Sequence, residues 1–252
     1  KHVFLKGAAM LILKQYNALE ERMIGDIDIL IKKNELIKTQ KILLSNGFQS
    51  KELPKSDYAK GLKEISARHL HRLINRDFIS AVELHGELLD NKNSKHFPAQ
   101  SIIDNIIYVQ EFPILSKENL WKHAIFNWQY NDYGLMYNKI SMRSYLDIVN
   151  LEPKNFNNNE DIHPAISHFY SLCSVFIDYY HNRNYFSSFK FKLYLISSTY
   201  SSLISFLIKF KIIFSLILNR LIFILKSKVY RKRIFKNPKL IFKKIFIFWQ
   251  KL

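Results

Sequence analysis

Apolar and polar positions change period several times along this chain, and each change marks an element. Val3-Phe4-Leu5 is a short apolar run that predicts a strand. Residues 8–19 repeat their apolar positions at helical spacing. Residues 26–32 are again an apolar run, interrupted only by two aspartates, and predict a buried strand. Asn34 as a cap, then Leu36, Ile37, Leu43 and Leu44 on one face, and Asn46-Gly47 as a stop, predict a helix. Residues 48–53, 66–74 and 78–86 look extended, and Asn75-Arg76-Asp77 predicts a hairpin turn between the last two. From Ser116 the period becomes helical. One helix runs through Trp121, Ala124, Ile125 and Trp128 to a break at Asn131-Asp132-Tyr133-Gly134. A second covers 140–151 and stops at Glu152-Pro153. The Asn-rich residues 155–159 read as a loop, and 162–180 as a third helix.

The pattern divides the chain into an α+β part over 1–112, a helical part over 113–189 and a tail over 190–252. In the tail, apolar runs alternate with Lys and Arg. Net charge is +17, and it is uneven: fifteen of the 38 basic residues and none of the 21 acidic ones lie in 190–252. The first 189 residues are therefore close to neutral. The longest uncharged stretch of the tail, 193–208, is rich in Ser and Tyr and falls short of the ~20 apolar residues of a membrane span. A pair of basic amphipathic helices on an anionic membrane surface is expected, against a nucleic-acid clamp or a packed helical bundle. Against a nucleic-acid partner, the tail is bulky-aliphatic as well as basic and lacks a known nucleic-acid-reading motif. The lone Cys173 excludes an internal disulfide and a cysteine-based zinc site. It suits a reducing cytoplasm, and no secretory leader is legible. The chain opens on Lys within a strand, so a preceding piece is expected.

Candidate chemistry sits on the strand at 26–32. Side chains at i and i+2 share one side of a strand, so Asp26 and Asp28 aim two carboxylates at one spot. Such a pair calls for a neutralising cation, and hard oxygens suit Mg²⁺. The plain alternative is a strand end with two solvated aspartates. Lys6-Gly7 stands between a strand and a helix, where backbone N–H groups favour phosphate. Glu83, in the alternating run Ile79 to His85, is a third carboxylate on an apolar background. Metal-assisted phosphoryl or nucleotidyl transfer needs these parts.

Together, Leu5-Lys6-Gly7-Ala8-Ala9, residues 22–30, Asn46-Gly47-Phe48 and Val82-Glu83-Leu84-His85-Gly86 give the chain a resemblance. It resembles the nucleotidyltransferase superfamily typified by DNA polymerase beta and kanamycin nucleotidyltransferase. It is more similar still to a bacterial family of uncharacterised nucleotidyltransferases often met among surface-polysaccharide genes. Leu120-Trp121-Lys122-His123-Ala124 and residues 143–147 match more weakly, and the likeness spans about 3–150. It implies a nucleotidyltransferase fold, a small mixed sheet with flanking helices, followed by an α-helical C-terminal region. It implies an NTP substrate, two Mg²⁺ ions on Asp26 and Asp28, and Glu83 as third metal carboxylate and catalytic group. The superfamily's phosphate turn is usually Gly-Ser where this chain has Lys6-Gly7.

Around that core, Lys6, Gly7 and Ala8 are expected to cradle the triphosphate, with Arg22 reaching it or a capping carboxylate. His85 and His123 are candidates for substrate contact. His69, His71 and His85 together form a less favoured metal set, and Arg143 and Asp147 are spaced to pair on their helix. A non-catalytic membrane scaffold of the same fold is the other alternative. A cytoplasmic location, at the inner face of the membrane, is expected.

Overall fold

The computed structural model describes residues 1–50, 68–90, 93–137, 140–153 and 162–176, with isolated helical positions between 207 and 235. The strands expected at 51–53 and 66–67, the loop at 155–159, the helix end at 177–180 and most of the tail lie outside the described residues.

Seven strands are present among the described residues: β1 (His2–Phe4), β2 (Asp26–Ile31), β3 (Gln49–Ser50), β4 (Leu73–Ile74), β5 (Ala81–His85), β6 (Ile106–Val109) and β7 (Phe112–Leu115). They form one mixed sheet in the order β3-β4-β5-β2-β1-β7-β6. At its centre β2 runs parallel to β5, pairing Asp26 with Ala81, Asp28 with Glu83 and Leu30 with His85. β1 is antiparallel to β2 and parallel to β7.

The two faces of this centre are different materials. Ile29, Ile31, Val82 and Leu84 turn toward Leu36, Leu43 and Phe48 of the α2 (Leu36–Ser45) region and form a small apolar cluster. The larger core draws Val3, Leu5 and Leu30 together with α3 (Ala99–Ile103), α4 (Lys117–Phe126), α6 (Met142–Leu151) and α7 (Pro164–Phe176). Trp121 on α4 donates its indole N–H to the Tyr170 hydroxyl at 3.1 Å, pinning α4 to α7 inside that core. α5 (Gly134–Tyr137) is a single turn.

Serine side chains cap two of the helices. Ser116 and Ser141 accept from the backbone N–H groups of Asn119 and Ser144, and so open α4 and α6. α2 closes on Gly47, whose φ of 86° lets Phe48 N–H reach Leu43 carbonyl. Its expected Asn34 cap is not used: the residue before the helix is Glu35, without a side-chain cap bond. The first helix departs further. It was expected over 8–19, but α1 spans Lys6–Ile12. Lys14 adopts φ 51°, and the N–H groups of Lys14 and Gln15 bond back to Leu11 and Met10. That is the closure a C-terminal glycine normally makes, here with a lysine. α4 continues as a π-helical turn over Asn127–Asn131, then stops where Tyr133 takes φ 63°.

Candidate functional site

The site begins with the β2–β5 register. Parallel partners point the same way, so Asp26, Asp28 and Leu30 share a side with Ala81, Glu83 and His85. The three predicted carboxylates are thus brought together at one end of two central strands. The Asp28 side chain is only 5% exposed, against 15% for Glu83 and 25% for Asp26.

Three cationic or hydrogen-donating side chains meet this acidic group. Lys6 Nζ stands 2.6 Å from Asp28 Oδ1. His85 Nε2 donates to the same oxygen at 2.6 Å and lies 3.6 Å from Glu83 Oε2. Arg72, just before β4, donates to Asp26 Oδ2 at 2.8 Å and approaches Glu83 Oε1 at 3.9 Å. Burial alone would raise Asp28, but the His85 hydrogen bond and the Lys6 charge outweigh it and hold its carboxyl well below the ordinary range. Burial likewise opposes ionisation of Glu83, and His85 and His69 overcome it, lowering that carboxyl too.

Lys6 reaches Asp28 from a left-handed backbone, φ 47°, immediately after Leu5 N–H bonds the Asp28 carbonyl at 3.0 Å. A lysine pays for such a conformation only where the surroundings enforce it. Gly7 beside it has a packing role: a Cβ there would meet Ile24 Cγ2 at 2.4 Å, so the glycine lets the 22–25 loop close over the turn.

A cleft of about 240 Å³ opens in front of Asp26 and Asp28. Lys6, Gly7, Arg22, Arg68, His123 and Arg143 are among its walls. Glu83 and His85 lie behind Asp28 rather than on the cleft lining. His123 is buried against Phe97, whose ring stacks on it at 6.3 Å. Burial first, and then the Lys6 charge, push its imidazole down to about 3, so it is neutral at physiological pH.

Arg22 is in the cleft wall, but its nitrogens are engaged elsewhere. Nε and an amino nitrogen hold both oxygens of Asp147 on α6 at 2.8 and 2.9 Å, and the other amino nitrogen donates to Met23 carbonyl at 2.6 Å. Tyr16 also donates its hydroxyl to Asp147. The Arg143–Asp147 pairing expected along the helix is replaced by this longer-range clamp. Arg143 is left exposed at the cleft, with no ion pair among the described residues.

The alternative histidine set does not assemble. His69 packs its ring 5.0 Å from His85, and its Nδ1 donates to the Leu70 carbonyl at 2.9 Å. Among the described residues, the group whose ligand atoms converge, all within 4.8 Å, is Asp28, Glu83 and His85. Arg72, Arg68 and the Tyr16 contact carry no sequence signal of their own: each acts across the fold. The positions described between 207 and 235 include exposed Leu207, Phe210, Phe214, Leu218, Leu221 and Leu225, each itself in helical conformation. Among the described residues no helix is long and apolar enough to cross a membrane.

Set against known protein families, the chain matches the one described as uncharacterised nucleotidyltransferase over residues 1–161. No curated protein and no solved structure matches it.

Proposed function

The chain belongs to the uncharacterised nucleotidyltransferase family, and from that premise we propose that it moves a nucleoside monophosphate from an NTP to an acceptor hydroxyl or phosphate. The acceptor oxygen attacks the α-phosphorus, the bond to the β-phosphate oxygen breaks, and pyrophosphate leaves. The observation that carries this reading is the convergence of the Asp26, Asp28 and Glu83 carboxylates on one face of β2 and β5. Their charge already draws Lys6 and Arg72, the behaviour of a donor set suited to cations. Divalent cations bound there, two of them and Mg²⁺ by the oxygen-donor rule, would supply Lewis-acid stabilisation of the phosphoryl oxygens.

The chain's own residues divide the remaining work. Lys6, with the N–H groups at Gly7 and Ala8, holds the triphosphate. Arg143 and Arg68 add positive charge to the cleft walls. Arg22 fixes α6 beside the phosphate turn through Asp147, and so shapes the cleft rather than touching phosphate. Neutral His123 offers a hydrogen bond to bound substrate. Glu83 would help hold the cation that activates the acceptor, and through that cation assists removal of the acceptor proton. An acceptor from surface-polysaccharide metabolism is the class we favour.

Exposed Leu207, Phe210, Phe214, Leu218, Leu221 and Leu225, in a stretch of sequence rich in Lys and Arg, support an anionic membrane surface as partner. On this reading the enzyme works at the inner face of the membrane. Liposome co-sedimentation of the full chain, with and without phosphatidylserine, tests it. Equal recovery on neutral and anionic vesicles removes the partner.

Incubation of the full chain with each labelled NTP, Mg²⁺ and hydroxyl or phosphate acceptors tests the activity. Pyrophosphate release that depends on Asp26, Asp28 and Glu83 is expected. No release with any NTP, or release that survives Asp26→Asn with Asp28→Asn, overturns it.

A further inference from the structure

The carboxylate cluster is not uniform. Toward the cleft, Asp26 and Asp28 present oxygen alone. Behind Asp28, the nearest donor to Asp28 and Glu83 is a nitrogen, His85 Nε2, at 2.6 Å from Asp28 Oδ1 and 3.6 Å from Glu83 Oε2. These ligand atoms lie within 4.8 Å of one another. Donors around one transition-metal ion stand roughly 3–4 Å apart, given metal–ligand bonds near 2 Å, so the 2.6 Å hydrogen bond must open slightly as an ion enters between its partners. The imidazole is 1% exposed, so it is held by the fold.

We propose that, of the two cation positions of the proposed reaction, the one on Asp28 and Glu83 is also bound by His85, and that this position, unlike its oxygen-only neighbour at Asp26 and Asp28, takes a first-row transition dication in preference to Mg²⁺. The reason is the donor set: carboxylate oxygen suits Mg²⁺ and Mn²⁺ alike, whereas imidazole nitrogen favours transition ions and adds little for Mg²⁺. Asp28 is the shared ligand, so the two sites are neighbours with different preferences. The ion takes the place of the proton that Nε2 now donates to Asp28; the bound imidazole stays neutral by carrying its one N–H on Nδ1. Lys6, on the same Asp28 oxygen, is the charge it displaces. The inference builds on the proposed nucleotidyl transfer for the use of the ion, not for its binding.

The test uses the full chain stripped of metal and Mn²⁺ as the probe. Pulsed electron paramagnetic resonance of bound Mn²⁺ should show coupling to a directly bound ¹⁴N, converted to ¹⁵N coupling by ¹⁵N-histidine labelling. His85→Gln should remove the coupling and weaken Mn²⁺ binding about tenfold or more, with Mg²⁺ binding nearly level. His69→Gln, which alters the other imidazole near Glu83, should retain it. If His85→Gln does not fold, labelling of the unaltered chain still decides whether imidazole is a ligand, and His69→Gln which one. Mn²⁺ bound through oxygen alone, or coupling that survives His85→Gln, overturns the proposal. Oxygen-only binding with pyrophosphate release intact ends this proposal and spares nucleotidyl transfer. Failure of both binding and release ends the two together.

Discussion

Asp28 and Asp147 both line one cleft, and both are met by cations, but in opposite ways. Asp147 is held by an arginine fork on both oxygens, with Tyr16 completing the contact. Asp28 receives Lys6 and His85 on a single oxygen, and its Oδ2 accepts no hydrogen bond among the described residues. A planar, bidentate guanidinium is a geometric lock; an ammonium on a flexible stem is a point charge that exchanges. One ion pair therefore builds the cleft and the other waits in it. Its place four residues before the aspartates left Arg22 open to either role, and its geometry suits the first.

Substitution should separate the two. Asp28→Asn is expected to lower pyrophosphate release by on the order of a thousandfold, because it removes the ligand shared by every proposed cation. Asp147→Asn should leave far more activity. Equal losses in the two variants would erase the distinction.

Asp147→Asn should instead cost stability. Arg22 and Asp147 are only 10% and 14% exposed, and an unpaired guanidinium would remain. A loss of ~3 kcal/mol is expected, read from urea unfolding. An unchanged midpoint would mean that the clamp is ornamental to folding.

Acid should act on the lysine side of the cleft. The His123 value of about 3 in the folded chain lies below its ordinary 6.5. Between those values the unfolded chain binds more protons, so stability is complete above pH 6.5 and falls as pH drops toward 3. Asp28, also held low, adds its own loss below its ordinary 3.8. Calorimetric Tm against pH should therefore decline from 6.5 downward, and His123→Gln should flatten the upper part. His69 and His163 are lowered as well, so some slope survives. An identical profile in the variant would contradict this assignment.

The smallest effect belongs to Arg72. Its side chain is 54% exposed, so Arg72→Ala should change stability by less than ~1 kcal/mol. Dication affinity, followed by calorimetric titration, should rise a few-fold as a competitor for Asp26 is removed. A fall in affinity would recast Arg72 as a support of the site.

Legibility of the fold followed its left-handed residues. Gly47 announced the end of α2, because glycine is the residue that takes φ 86° without strain. Lys14 does the same job for α1 at φ 51°, and nothing in a lysine announces it. The β6–β7 hairpin was missed for a related reason: its two-residue loop is Gln110-Glu111, with Gln110 at φ 57° in place of the usual Asn or Gly. Within the site, the carboxylates were legible because period-2 spacing on a strand states which side chains share a face. Arg22 with Asp147 was not, since 125 residues separate them, and no local pattern reports a contact of that range. Arg72 sat in a stretch whose extended character was visible but whose register was not.

The pairing of β2 with β5 also makes the site an examiner of its own assembly. A slip of one residue in β2 would swing Asp26 and Asp28 to the side lined by Leu36, Leu43 and Phe48. There the carboxylates would meet hydrocarbon, away from Lys6, Arg72 and His85. A misaligned sheet would thus be penalised by the very groups proposed for catalysis. The charges proposed to make the centre reactive would then also edit errors during folding.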